Sequence, residues 1–143
     1  RWQSAHHDAY CERVAASPFA DQIHLPGFVA EADVPLWYAA ADALVFPSLM
    51  EGFGLPVVEA MACGTLVACA DAASLPEVGG NAALYFDATD SAALAESLAT
   101  AVESSASERE ARLRAGFAQA ARFNWDTAAA QTAAVYAELI RRP

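Results

Sequence analysis

A chain of 143 residues can bury one ordinary core but not two. Its hydrophobic share of 56% owes much to alanine, and no apolar run approaches transmembrane length, so the expectation is a soluble, alanine-rich α/β domain. The net charge of −10, from 18 acidic and 8 basic residues, excludes nonspecific nucleic-acid binding, which needs a basic patch.

The sequence opens Arg1-Trp2 without an initiator methionine or a basic-then-apolar signal segment, and reads as a cytoplasmic product that is processed, trimmed or a fragment. Trp2 to Ala16 is expected to be helical, with Ala5, Tyr10, Val14 and Ala15 turned inward, until Pro18 stops it. Gln22 to Phe28 reads as a short strand entering a Pro26-Gly27 turn, with His24 a satisfied structural histidine. Asp33 is the expected N-cap of a helix through Leu36, Trp37, Tyr38 and Ala40, with Pro35 in its first turn. The run Ala43-Leu44-Val45-Phe46 lacks polar alternation, as befits a parallel strand covered on both faces.

Next comes the stretch around which the chain is organised, from Pro47 to Gly64. Gly52 and Gly54 allow a sharp turn or close approach to a ligand, Pro56 suits the first turn of a helix, and Gly64 suits a left-handed cap at its end. A helix entered in this way offers unbonded N–H groups and a positive dipole end, which suit a phosphate or another anion. On position alone, Glu59 is a favourably placed carboxylate near a helix N-terminus, worth roughly 0.3–1 kcal/mol, and Glu51 is a solvated loop carboxylate. The alternative is that they accept hydrogen bonds from sugar hydroxyls or stabilise positive charge at a reacting centre.

Downstream, Thr65 to Ala70 and Ala83 to Phe86 are two more short strands, separated by a loop with one turn near Leu75 to Val78. Leu94, Leu98 and Val102 mark a helix from Ser91 to Ser104, and Ser107 to Glu110 reads as a capping box for a helix with Leu113, Phe117 and Ala121 on its apolar side. Asn124 is the expected cap of a last helix, striped Trp125, Ala129, Thr132, Tyr136 and Leu139/Ile140, with Arg141 and Arg142 complementing its negative end. Alternation of short apolar strands with helices predicts a doubly wound parallel α/β sheet, over about residues 1–90, followed by C-terminal helices over about 91–143.

Cys11, Cys63 and Cys69 lack metal-like spacing and read as small buried thiols, while the adjacent His6 and His7 point in different directions on their helix. Every basic residue is an arginine, and none lies between Arg13 and Arg109. A phosphate at the central loop therefore relies on backbone amides, the helix dipole or cations from elsewhere.

The run P-S-L-M-E-G-F-G-L-P-V-V-E-A-M-A-C-G from Pro47 resembles the signature of retaining GT-B glycosyltransferases. L-P-G-F, L-W-Y-A-A-A-D, S-L-P-E-V-G-G-N-A-A-L-Y-F and F-N-W-D-T-A extend the likeness along most of the chain. The resemblance implies an incomplete Rossmann-like nucleotide-sugar domain, lacking the N-terminal acceptor domain, its own first βαβ unit and the Arg/Lys pair that neutralises the diphosphate. Glu51 would contact the transferred sugar, the N–H groups of Gly52, Phe53, Gly54 and Leu55 would face sugar and diphosphate, Glu59 would bind the ribose hydroxyls, and Phe28 would fall near the nucleobase. It further implies a GDP- or UDP-linked donor, transfer with retained anomeric configuration, no required metal or other cofactor, and a polysaccharide-biosynthesis setting. Peripheral membrane association of the intact enzyme and self-association through exposed strand edges are further expectations. Ala73-Ser74 stands where that family often carries Gly-Gly, which favours mannosyltransferase-like relatives and a GDP-mannose donor. The other readings are a stand-alone nucleotide- or sugar-binding module without catalysis, and an interaction protein docking through its last helices.

Overall fold

The strand Ala43–Phe46 (β1) aligns in parallel with Leu66–Ala70 (β2), in the register Ala43 to Leu66 through Phe46 to Cys69. Leu84–Phe86 (β3) pairs with the other edge of β2, again in parallel, giving the order β1-β2-β3. This computed structural model describes residues 5–141 of the chain, which divide into a first unit up to Glu31 and a second from Ala32 onward. The sheet lies wholly in the second unit.

In the first unit, helix α1 runs Ala5–Ala15 and a 3-10 turn follows at Ala20–Gln22. Trp2 lies outside the described residues. Tyr10 and Ala15, expected inside, are exposed, and Val14 is half-buried. The expected strand from Gln22 to Phe28 does not form. Ile23 has extended backbone angles, but Pro26 has no N–H to give a ladder and Gly27 turns at φ 71°.

The second unit follows the predicted alternation closely. Helix α2 spans Val34–Ala40, with Pro35 in its first turn; Asp33 occupies the cap position, but its side chain makes no capping bond because the chain enters through a 3-10 turn at Glu31–Asp33. Helix α3 spans Leu55–Ala62 and ends as Gly64 predicts: Gly64 adopts φ 78°, its N–H donates to the Met61 carbonyl, and that of Thr65 reaches back to Ala60. The five-residue helix α4, Leu75–Gly79, occupies the expected turn.

Helix α5 spans Ser91–Glu103, capped by Asp90, whose carboxylate accepts the N–H of Ala92 and Ala93. Helix α6 spans Ala106–Ala120, and its capping box is built two residues earlier than expected. Ser105 Oγ accepts from the Glu108 N–H, and the Glu108 carboxylate accepts from the Ser105 N–H. The chain leaves α5 in an extended conformation at Ser104, which lets Ser105 close the box first. The inward positions shift with these starts: Ala101, Gly116, Gln119 and Ala120 are buried, whereas Val102, Phe117 and Ala121 are exposed.

All five residues of β2 are buried, which requires cover on both faces of the sheet. Helices α3 and α6 pack on each other and on β2, while α5 packs across all three strands. The core is built from Val57, Ala60 and Met61 of α3, Val67 and Cys69 of β2, and Leu75 and Val78 of α4. Helix α7, Trp125–Arg141, starts as predicted, with Asn124 Oδ1 accepting from the N–H of Asp126 and Thr127. Its expected packing stripe, however, is exposed throughout. Of the three thiols, Cys69 alone is fully buried; burial, followed by the nearby Asp71 charge, pushes its pKa up to about 12, so it is an inert core group.

Candidate functional site

The connection from β1 to α3 carries Glu51, Gly52, Phe53 and Gly54 past the end of Phe46, on the carboxyl side of the sheet. Glycine is required at position 54 twice over. The residue adopts φ 104°, which L side chains rarely tolerate, and a Cβ there would lie 2.7 Å from Leu75 Cδ2. With glycine at the cap position, α3 has no side chain closing its N-terminus. Among the described residues, no acceptor takes the N–H of Gly52, Phe53, Gly54 or Leu55. The loop thus presents four consecutive unbonded donors at the positive end of a helix dipole, an arrangement suited to anionic oxygens.

The two glutamates bracket these donors. Glu51 precedes them and is half-buried; Glu59 follows on α3 and is exposed. Glu59 is oriented from outside its own helix, because Tyr38 of α2 donates its hydroxyl to Glu59 Oε2 at 3.1 Å. The other end of Tyr38 is also held: its carbonyl accepts from the hydroxyl of Thr65, a buried residue at the entrance to β2. Burial, reinforced by the Glu59 hydrogen bond and charge, raises the Tyr38 pKa to about 12, which keeps it a proton donor to Glu59 across the physiological range.

Two further contacts shape the loop. The Phe53 ring meets Phe123, just beyond α6, edge to face with ring centroids 5.2 Å apart. Ser74 Oγ donates toward the carbonyls of Glu51, at 3.1 Å, and Phe53, at 2.8 Å. Leu55 is exposed at the start of α3. Phe28 belongs to the first unit, where it is exposed directly after the Gly27 turn.

The structure explains the fate of the nearest arginine to follow the cation-free stretch. Arg109 bonds the carbonyl of Asp42 and lies 3.7 Å from its carboxylate, just before β1 begins and therefore at the amino end of the sheet, away from the glycine loop. Arg122 is engaged by Gln119 Oε1 at 3.0 Å. No group of three or more His, Cys, Asp or Glu side chains suited to a metal ion occurs among the described residues.

Sequence reasoning placed the loop, both glutamates and the helix entrance, and it missed Tyr38, Ser74 and Phe123 as partners. Each comes from a segment distant in sequence. Tyr38 and Phe123 lie within the runs L-W-Y-A-A-A-D and F-N-W-D-T-A, and Ser74 within the pair Ala73-Ser74, but spacing alone does not pair them with the loop.

Parallel strands with a glycine loop at their carboxyl ends, entering a helix between two carboxylates, define a Rossmann-like α/β module. The pattern of the Glycosyl transferases group 1 family matches residues 4–122, and the chain belongs to that family. It is 43% identical over 110 residues to O-antigen chain mannosyltransferase B of Escherichia coli, covering 77% of this chain and 29% of that protein. It is 33% identical over 132 residues to an MMP alpha-(1->4)-mannosyltransferase of Mycolicibacterium hassiacum, covering 90% of this chain and 32% of that one. The structure of sucrose-phosphate synthase from Thermosynechococcus elongatus superposes with a TM-score of 0.86 at 27% identity, covering 98% of this chain and 36% of the synthase. The fold is thus of the GT-B glycosyltransferase kind, and the chain spans about a third of the length of these relatives. No helix among the described residues is long and apolar enough to cross a membrane.

Proposed function

We propose that this chain forms the donor side of a nucleotide-sugar site, in an enzyme that transfers a sugar from a nucleoside diphosphate with retention of anomeric configuration. The observation that carries the reading is the row of four unbonded amides from Gly52 to Leu55, bracketed by Glu51 and Glu59, in a chain of the glycosyltransferase family. Glu51 contacts the transferred sugar and stabilises the charge that develops as the glycosidic bond to the diphosphate breaks. The amides and the α3 dipole hold the diphosphate oxygens, and Glu59, steadied by Tyr38, accepts the ribose hydroxyls. No metal is required in this reading. The mannosyltransferase relatives favour mannose as the sugar and GDP as its carrier, with UDP the other candidate nucleotide.

In this reading the balancing cations and the acceptor contacts come from the remainder of the enzyme, since no Lys or Arg lies between Arg13 and Arg109 and Arg109 itself pairs with Asp42. The 143-residue chain alone is therefore expected not to transfer sugar. In the intact protein, Glu51→Ala should lower transfer by about 10²–10³-fold, measured by release of the nucleoside diphosphate. Glu59→Ala should mainly weaken donor binding, by about 1–3 kcal/mol, measured by calorimetry with GDP- and UDP-sugars. Proton NMR of the product gives the anomeric outcome, and an inverted product would refute retention. Kinetics and affinity unchanged in both variants would refute the site.

A further inference from the structure

We infer that Ser74 is a positioning residue for this site: its hydroxyl fixes the loop peptides so that the amides of Gly52 and Gly54 face the donor. The inference rests on the donor-site reading above. Ser74 occupies the N-cap position of α4, where a serine ordinarily accepts an N–H from its own helix, yet it makes no such bond. Its hydroxyl instead donates outward, spanning the Glu51 and Phe53 carbonyls at 3.1 and 2.8 Å.

The preceding residue carries a second local cost. Ala73, at φ 51°, is the one non-glycine residue with positive φ among those described, a conformation that disfavours any side chain with a Cβ. Leu75, the next residue, completes the grip by lying against Gly54, where it leaves no space for a Cβ. Ser74 and Leu75 thus hold the loop from one side, at the expense of a helix cap and, at Ala73, of a relaxed backbone.

Peptide geometry converts that grip into a function. In a trans peptide the C=O and the N–H of the following residue point in opposite directions. Holding the Glu51 carbonyl toward Ser74 therefore aims the Gly52 N–H away from it, and holding the Phe53 carbonyl does the same for Gly54. The two glycine amides, neither of which has an acceptor among the described residues, both point away from Ser74, Gly52 on the exposed surface and Gly54 in a buried position. Glu51 belongs to the first of these two peptides, so its side chain is referenced to the same strut.

The test compares Ser74→Ala and Ser74→Thr in the intact protein. Ser74→Ala should weaken binding of GDP or UDP about tenfold, the loss of one well-made hydrogen-bonding arrangement, while inhibition by guanosine or uridine, which lack the diphosphate, stays within about twofold. Ser74→Thr, which keeps the hydroxyl, should restore diphosphate affinity. Hydrogen exchange over residues 48–58, read without ligand, should rise in the alanine variant and return in the threonine variant. Diphosphate affinity unchanged in Ser74→Ala, equal losses for nucleoside and diphosphate, failure of threonine to rescue, or unchanged exchange would each overturn the inference. If Glu51→Ala leaves transfer intact and neither diphosphate binds the parent protein, the donor-site reading fails instead, and the exchange comparison still decides whether Ser74 holds the loop.

Discussion

Strand β2 is apolar throughout and helix α7 carries an apolar stripe, yet every residue of β2 is buried and every residue of α7 is exposed. The difference is one of partners. β2 has a strand on each side and helices packed against it, so its side chains leave water whichever way they point. Helix α7 has a good cap at Asn124 and a stripe of Trp125, Tyr136, Leu139 and Ile140, but no other described residue of the second unit covers it. Hydrophobic periodicity specifies which face of an element is apolar, and it carries no information about what that face meets.

Substitutions can break this comparison or sharpen it. The largest effect is expected at Leu75, fully buried in the layer around β2 and in contact with the Gly54 turn. Leu75→Ala should cost about 2–5 kcal/mol in urea unfolding, and a loss below about 1 kcal/mol would mean that this layer is far looser than its burial indicates.

A pH effect of intermediate size is expected from Tyr85 in the same layer, which donates to the Gly80 carbonyl at 2.7 Å. Burial, followed by the charges of Cys69 and Asp71, raises its pKa from 10.0 to about 12. Because the folded pKa lies above the unfolded one, this stabilisation is complete below pH 10.0 and is lost as pH rises toward about 12. Tyr38, raised in the same direction, adds to the slope. Unfolding midpoints measured between pH 9 and 12 should fall, and Tyr85→Phe should flatten the fall; an unchanged slope would contradict the assignment.

The smallest effect belongs to α7. Ile140 is 84% exposed, and Ile140→Ser should change the stability of this chain by no more than about 0.5 kcal/mol. A cost above about 1 kcal/mol would show that α7 is buried against a partner in solution.

What the sequence could reveal follows the same division. Elements fixed by local chemistry were legible: the strand at Ala43–Phe46, the Gly64 cap, the Asn124 cap and the glycine loop are each specified by residues within a few positions of one another. The strand expected near Ile23 does not form: Pro26 offers no N–H to a ladder, Gly27 turns the chain, and a strand's lateral partner is something no local pattern supplies. The capping box was read two residues late because two serines compete there, and the geometry after α5 decides between them. At the candidate site the glutamates and glycines were legible as a contiguous run. Tyr38 and Ser74 were not, since their roles depend on which segments the sheet brings together.

The bond from Thr65 to the Tyr38 carbonyl gives the site a fixed datum. Tyr38 is held to the entrance of the central strand at one end and touches Glu59 at the other, so the carboxylate takes its position from a fully buried strand. An exposed glutamate on an eight-residue helix would otherwise wander through its rotamers. Here its tolerance is set by the sheet, and a disturbance at the start of β2 would reach the site as a displacement of one hydroxyl.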